Sequence, residues 1–191
     1  MKTWLVIVLA AATMALTVDT TEAQNEVVTR GNVEYAEHGG TKLTGDLYLP
    51  KGVARAPLII AVHGGGWQNG SPAAYKYWGS FLAKKGYGLF AIKYRLGKAG
   101  IYPGAVYDVK AAIQFARAKG ADLGIDPERI GLWGDSARGH LVSLVGLAAD
   151  QFASEYRDDP HAATSAQVKR MPRALLKLAE RSLPSVLLSG F

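Results

Sequence analysis

The chain has 191 residues, 49% hydrophobic and 20% charged, and no cysteine. That composition belongs to a globular domain with a buried core, and it excludes a disordered chain, a disulfide framework and a thiolate metal site. The formal net charge is +6, with Lys169, Arg170, Arg173, Lys177 and Arg181 near the end set against Glu180 alone; an excess confined to a tail, without a basic face interleaved with aromatics, argues against a nucleic-acid partner.

In chain order, Lys2 and the apolar run from Trp4 to Leu16 read as an export signal, too short to span a membrane comfortably. Thr21-Glu22-Ala23 ends in a small residue, so residues 1–23 are expected to be a signal peptide cleaved after Ala23. The protein is then periplasmic or secreted, with no stable membrane anchor. A buried N-terminal helix is the rival reading.

Strands are expected over 32–37 and 43–49, joined by a hairpin turn at His38-Gly39-Gly40-Thr41. A loop over 50–57 precedes Leu58-Ile59-Ile60-Ala61-Val62, an unbroken apolar run suited to a strand buried on both faces. A glycine-rich loop leads into a helix over about 73–85, closed by Gly86. A strand follows over 88–94. Ala105, Val109, Ala112, Ile113 and Ala116 have helical spacing within 103–119, ended by Gly120 and Gly124. Asp126-Pro127-Glu128-Arg129 is a turn before a strand over 130–133, and 136–149 reads as a helix. This alternation predicts an α/β fold: a mostly parallel sheet with antiparallel N-terminal strands and helices on both faces.

Two motifs carry chemistry. His63-Gly64-Gly65-Gly66-Trp67 directly follows a buried strand. Three glycines leave backbone N–H groups free to converge on a developing oxyanion. A plain flexible turn is the bland alternative. A phosphate loop also has the right spacing from Gly65 to Gly70, but Ser71 stands where such a loop needs lysine. The second motif, Gly134-Asp135-Ser136-Ala137-Arg138-Gly139-His140, lies between a strand and a helix. A tight turn there lifts a serine above the sheet and brings the Ala137 N–H to the oxyanion hole. Taken alone, Ser136 reads equally well as a helix N-cap.

Together the motifs resemble the α/β-hydrolase superfamily, in its His-Gly-Gly-Gly carboxylesterase branch, with exported feruloyl and acetyl-xylan esterase-like proteins the nearest look-alikes. The resemblance covers about 32–168 and includes Tyr94-Arg95, Tyr102-Pro103 and Asp126-Pro127-Glu128-Arg129-Ile130. It implies Ser136 as nucleophile, with Gly65, Gly66 and Ala137 as oxyanion-hole N–H donors. It implies a small-molecule or polysaccharide-linked carboxylic ester as substrate, hydrolysed through an acyl-enzyme without a cofactor. Amide or formamide hydrolysis would use the same groups.

Two departures qualify the resemblance. The pattern Gly-x-Ser-x-Gly ends here in Arg138, whose long side chain is expected to crowd a close helix–sheet approach. The triad order is serine, acid, histidine, and Phe191 is only 55 residues beyond Ser136. Each further βα unit with its strand needs roughly 30 residues, so the acid and histidine are expected to be absent. Asp158, Asp159 and His161 read as a solvated loop. His140 reads as a packing or capping residue, His63 as an anchor of the glycine loop, His38 as a turn residue and Asp108 as a partner in a structural hydrogen bond or salt bridge. No histidine pair has metal-ligand spacing with a carboxylate, so no metal is expected. Residues 169–191 depart from the family as a basic tail. The whole reads as a partial, C-terminally truncated α/β-hydrolase, weakly active or inactive, with the nucleophile strand at a sheet edge; a non-catalytic remnant or ester-binding module is the alternative.

Overall fold

The computed structural model of the chain describes residues 24–66, 68–134 and 137–147. The expected signal peptide, Asp135, Ser136, Asp158, Asp159, His161 and the basic tail lie outside the described residues.

The chain enters through an antiparallel hairpin, β1 (Val27–His38) and β2 (Thr41–Pro50). Its two-residue turn is Gly39-Gly40, with φ of 54° and 76°. Both values are positive, as the hairpin turn that matches strand twist demands. The hairpin is longer than the hydrophobic pattern suggests, because Val27 and Val28 pair with Pro50 and Leu49.

Next come β3 (Ala56–Val62), α1 (Lys76–Lys84), β4 (Gly88–Ile92), α2 (Gly104–Ala118), the single turn α3 (Gly120–Leu123), β5 (Ile125–Gly134) and α4 (Ala137–Leu147). The helix expected to begin near Ala73 starts instead as a 3-10 turn over Pro72–Tyr75, capped by the Ser71 hydroxyl accepting from the Ala73 N–H at 3.1 Å. The residue that breaks the phosphate-loop pattern thus serves as a helix cap. Helix α1 closes as foreseen at Gly86: its N–H donates to the Ala83 carbonyl, the Tyr87 N–H donates to that of Leu82, and its φ is 87°. This paired closure requires a left-handed residue, which glycine supplies without steric cost.

The sheet order is β1-β2-β4-β3-β5. Strand β2 runs antiparallel to β1 and β4, whereas β3 runs parallel to both β4 and β5. This is the expected architecture of two antiparallel-start strands and three parallel ones, and β5 is the last strand of the sheet among the described residues. The turn at 126–129 lies within β5 as an extrusion: Ala56 pairs with Ile125, yet Leu58 already pairs with Ile130. Asp126 holds this excursion, accepting from Arg55 Nη2 at 3.0 Å and Arg129 Nε at 2.6 Å.

Alternation along the central strands divides the core. Leu58, Ile60, Val62, Phe90 and Ile92 pack with α2 and with Leu141 and Val145 of α4. Ile59, Ala61, Leu89 and Ala91 pack on the opposite face with Tyr75, Leu82 and Ala83. The period of two in a strand sends neighbours to opposite faces, so an unbroken apolar run needs cover on both sides. Helices α2 and α4 supply one layer and α1 the other.

Candidate active site

Three segments leave the sheet at one level. Val62 at the end of β3 pairs with Ile92 of β4 on one side and with Gly134 of β5 on the other. Val62, Ile92 and Gly134 therefore lie at adjacent points at the carboxyl ends of parallel strands, where open α/β sheets place their ligands.

In the first loop, Gly65 and Gly66 have φ of 124° and 58°. The Gly65 carbonyl accepts from the N–H groups of Gln68 at 3.1 Å and Asn69 at 3.0 Å, which closes a tight turn. A Cβ on Gly65 would lie 2.1 Å from the Asn69 carbonyl oxygen, so no side chain fits. Both glycines are exposed, and among the described residues neither N–H donates to a backbone carbonyl.

The third loop ends in α4. Ala137 opens that helix, so its N–H belongs to the first turn, which lacks intrahelical acceptors and carries the positive end of the helix dipole. Helix and strand meet closely just before it: a Cβ on Gly134 would stand 2.7 Å from the Arg138 carbonyl oxygen and 2.8 Å from Val142 Cγ2.

Between these loops lies a buried stack. Tyr94, just past β4, has its ring 4.7 Å from that of His63, tilted by 30°. Its hydroxyl donates to the His63 carbonyl at 2.9 Å. The Arg138 guanidinium lies at the hydroxyl end of Tyr94, its Nε against the hydroxyl and its Cζ 5.0 Å from the ring centroid. His63 Nδ1 lies 3.1 Å from the Gly64 carbonyl; because a carbonyl only accepts, that contact requires the proton on Nδ1. His63 therefore anchors the glycine loop, as its position suggested. The close helix–strand approach at Gly134 is made by the Arg138 backbone, while the Arg138 side chain, 0% exposed, is pressed against the Tyr94 hydroxyl, so the expected crowding falls on Tyr94.

The neighbouring loop is fixed by a second buried group. Asp108 on α2 accepts from the Arg95 backbone N–H at 2.8 Å and from Arg95 Nη2 at 2.7 Å, with side-chain exposures of 2% and 9% for Asp108 and Arg95. Both structural roles open to Asp108, hydrogen bond and salt bridge, are present. His140 is exposed on α4, which corrects the packing role expected for it.

A family model for BD-FAE matches residues 45–171, well over half of the chain. The chain belongs to the BD-FAE family. Esterase LipC of Mycobacterium tuberculosis is 42% identical over 96 residues, 50% of this chain and 24% of that protein. The arylesterase of Saccharolobus solfataricus is 33% identical over 138 residues, 72% of this chain and 42% of that one. Thermogutta terrifontis esterase 2 phosphorylated by paraoxon has a TM-score of 0.60 at 29% identity, covering 76% of this chain and 54% of the other. The chain thus spans from about a quarter to about half the length of these esterases. Fold and relatives agree with the α/β-hydrolase, carboxylesterase-type membership read from the two motifs, and the five strands form part of that fold.

Within this BD-FAE chain, the structure brings Gly65, Gly66 and the start of α4 to one end of the sheet, while Ser136 lies outside the described residues. Sequence reading missed the part played by Tyr94, noticed only as a residue of the family pattern. The available signal was its place just past β4, whose end is level with those of β3 and β5.

Proposed function

We propose that this chain carries the nucleophile portion of a serine carboxylester hydrolase. The observation that supports the reading is the pairing of Val62 with Gly134, which sets the start of the glycine loop and the residue two before Ser136 at the same end of adjacent parallel strands. In this reading the Ser136 oxygen attacks the ester carbonyl, forming an acyl-enzyme as the alcohol leaves with a proton. The N–H groups of Gly65, Gly66 and Ala137 hold the charge that develops on the carbonyl oxygen. Water then releases the acid and restores the hydroxyl. The substrate is a small-molecule ester or one linked to a polysaccharide, as the resemblance to exported cell-wall esterases suggests.

The serine needs a base, and neither described histidine near this end suits the task. His63 is buried within the glycine loop, and His140 points to solvent on α4. The acid and histidine are assigned to parts of the family fold beyond the described strands. The 191-residue chain alone is therefore expected to turn over short-chain aryl esters negligibly and to resist stoichiometric phosphonate labelling. A chain extended by the corresponding portion of a relative should gain both, and Ser136→Ala should abolish both. Robust hydrolysis by the 191-residue chain that Ser136→Ala removes would sustain the serine assignment and refute the missing-partner assignment. Absence of labelling in the extended chain would favour a non-catalytic remnant.

The same proposal places the enzyme outside the cytoplasm after cleavage behind Ala23. N-terminal sequencing of the fractionated protein should find Gln24 first. A full-length cytoplasmic product would exclude export.

A further inference from the structure

We infer that Arg138 is a positioning residue that couples the start of α4 to the glycine loop through Tyr94 and His63. The inference rests on the hydrolase reading for its purpose, but its physical content is independent of catalysis. The two halves of the proposed oxyanion hole lie on separate loops, the glycine loop after β3 and the start of α4 after β5. Their relative position must be held while a charge develops between them, because misplaced donors lose most of their value.

The contacts form an unbroken path between the loops. Arg138 stands in the first turn of α4, one residue beyond Ala137. Its Nε meets the Tyr94 hydroxyl, and its Cζ lies 5.0 Å from the Tyr94 ring centroid. That hydroxyl donates to the His63 carbonyl, and the two rings are in contact. His63 then reaches the Gly64 carbonyl, and its ring presses on Gly70 so closely that a Cβ there would lie 2.2 Å from Nδ1. Gly64 and Gly70 bracket the turn closed on the Gly65 carbonyl. Arg138, Tyr94 and His63 are all at most 2% exposed. In a dry, close-packed site a displacement of one group is passed to the next rather than absorbed by solvent.

A guanidinium beside the phenol oxygen draws electron density from the O–H and improves it as a donor to the His63 carbonyl. A glycine at 138 would have no side chain to reach Tyr94.

The test uses the full chain without substrate and follows amide hydrogen exchange by NMR. The reporters are the Gln68 and Asn69 N–H groups, which close the glycine turn. The β1–β2 hairpin amides serve as the control for global opening. Arg138→Met keeps much of the volume but lacks the guanidinium. Tyr94→Phe keeps the ring but lacks the hydroxyl. Each should speed exchange at Gln68 and Asn69 by about tenfold relative to the hairpin, and the His63 ring resonances should move in both. The double variant should be no faster than the faster single one, because both changes cut the same path. Exchange at Gln68 and Asn69 that merely follows the hairpin, in either single variant, would reduce Arg138 to a core-filling residue and overturn the coupling. Additive effects in the double variant would overturn it too. Since no ester is present, failure here and failure of the hydrolase proposal are separate results.

Discussion

At the scale of single residues, burial and hydrogen bonding decide which charges matter. Asp126 is set in the β5 extrusion with its side chain only 10% exposed. Burial opposes ionisation of its carboxyl, but hydrogen bonds from Arg129, Arg55 and the Glu128 N–H together outweigh it and hold the carboxyl at about 2. A carboxyl depressed in the fold takes up a proton more readily when unfolded. The stability it contributes is therefore complete above the ordinary value of 3.8 and is lost as pH falls toward about 2. Asp126→Asn should lower the melting temperature at neutral pH, and its deficit against the parent should shrink as pH falls from about 4 to about 2. Melting curves across that interval check the sign; a constant deficit would mean that the carboxylate charge is not what holds the extrusion. Gly65 makes a steric prediction. A methyl group there meets the Asn69 carbonyl oxygen at 2.1 Å, and backbone cannot swing aside as a side chain can. Gly65→Ala should open the glycine turn with little loss of global stability, read as faster exchange at Gln68 and Asn69 beside an almost unchanged melting temperature.

Between elements, close approach and buried charge set the tolerance. Strand β5 and helix α4 meet at Gly134, where a Cβ would lie 2.7 Å from the Arg138 carbonyl oxygen. Gly134→Ala must push the helix outward, and overpacking of this kind costs about 1–3 kcal/mol, measurable by urea unfolding. The loop after β4 depends on Asp108. Truncation by Asp108→Ala leaves the Arg95 guanidinium buried without its carboxylate partner, and breaking a buried pair this way costs about 3–5 kcal/mol. The variant should therefore express poorly or unfold at markedly lower urea. An unchanged midpoint would show that Arg95 finds another partner by moving to solvent.

For the molecule as a whole, the sheet order makes β5 the last strand among the described residues. An apolar parallel strand with an open side is a template for another chain, so sedimentation velocity at rising concentration reads whether the outer side of β5 is covered: self-association marks an open edge and a monomer a covered one. The chain spans 54% of the length of a structurally similar esterase.

The amino-acid pattern by itself determined the alternation of strands and helices, both chemical motifs and their assignment to the carboxylesterase-type hydrolases. Unbroken apolar runs at 58–62 and 88–92, helical spacing at 105–116 and glycines at 39–40 and 86 are local signals, and local physics suffices to read them. The ends of β1 and the fate of 126–129 were not legible, because both depend on a partner strand: Val27 extends β1 by pairing with Pro50, and the Asp126 turn becomes a strand extrusion because Arg55 on another segment grips it. The same holds for the site. Residue identity, Ser71 where a phosphate loop needs lysine and Arg138 where the pattern has glycine, separated the glycine loop from a phosphate loop and marked Arg138 as unusual, but gave no direction to its side chain. Only the tertiary structure turned that side chain onto Tyr94 and set Tyr94 against His63, since these three residues are far apart in sequence and meet only because β3, β4 and β5 end at one level.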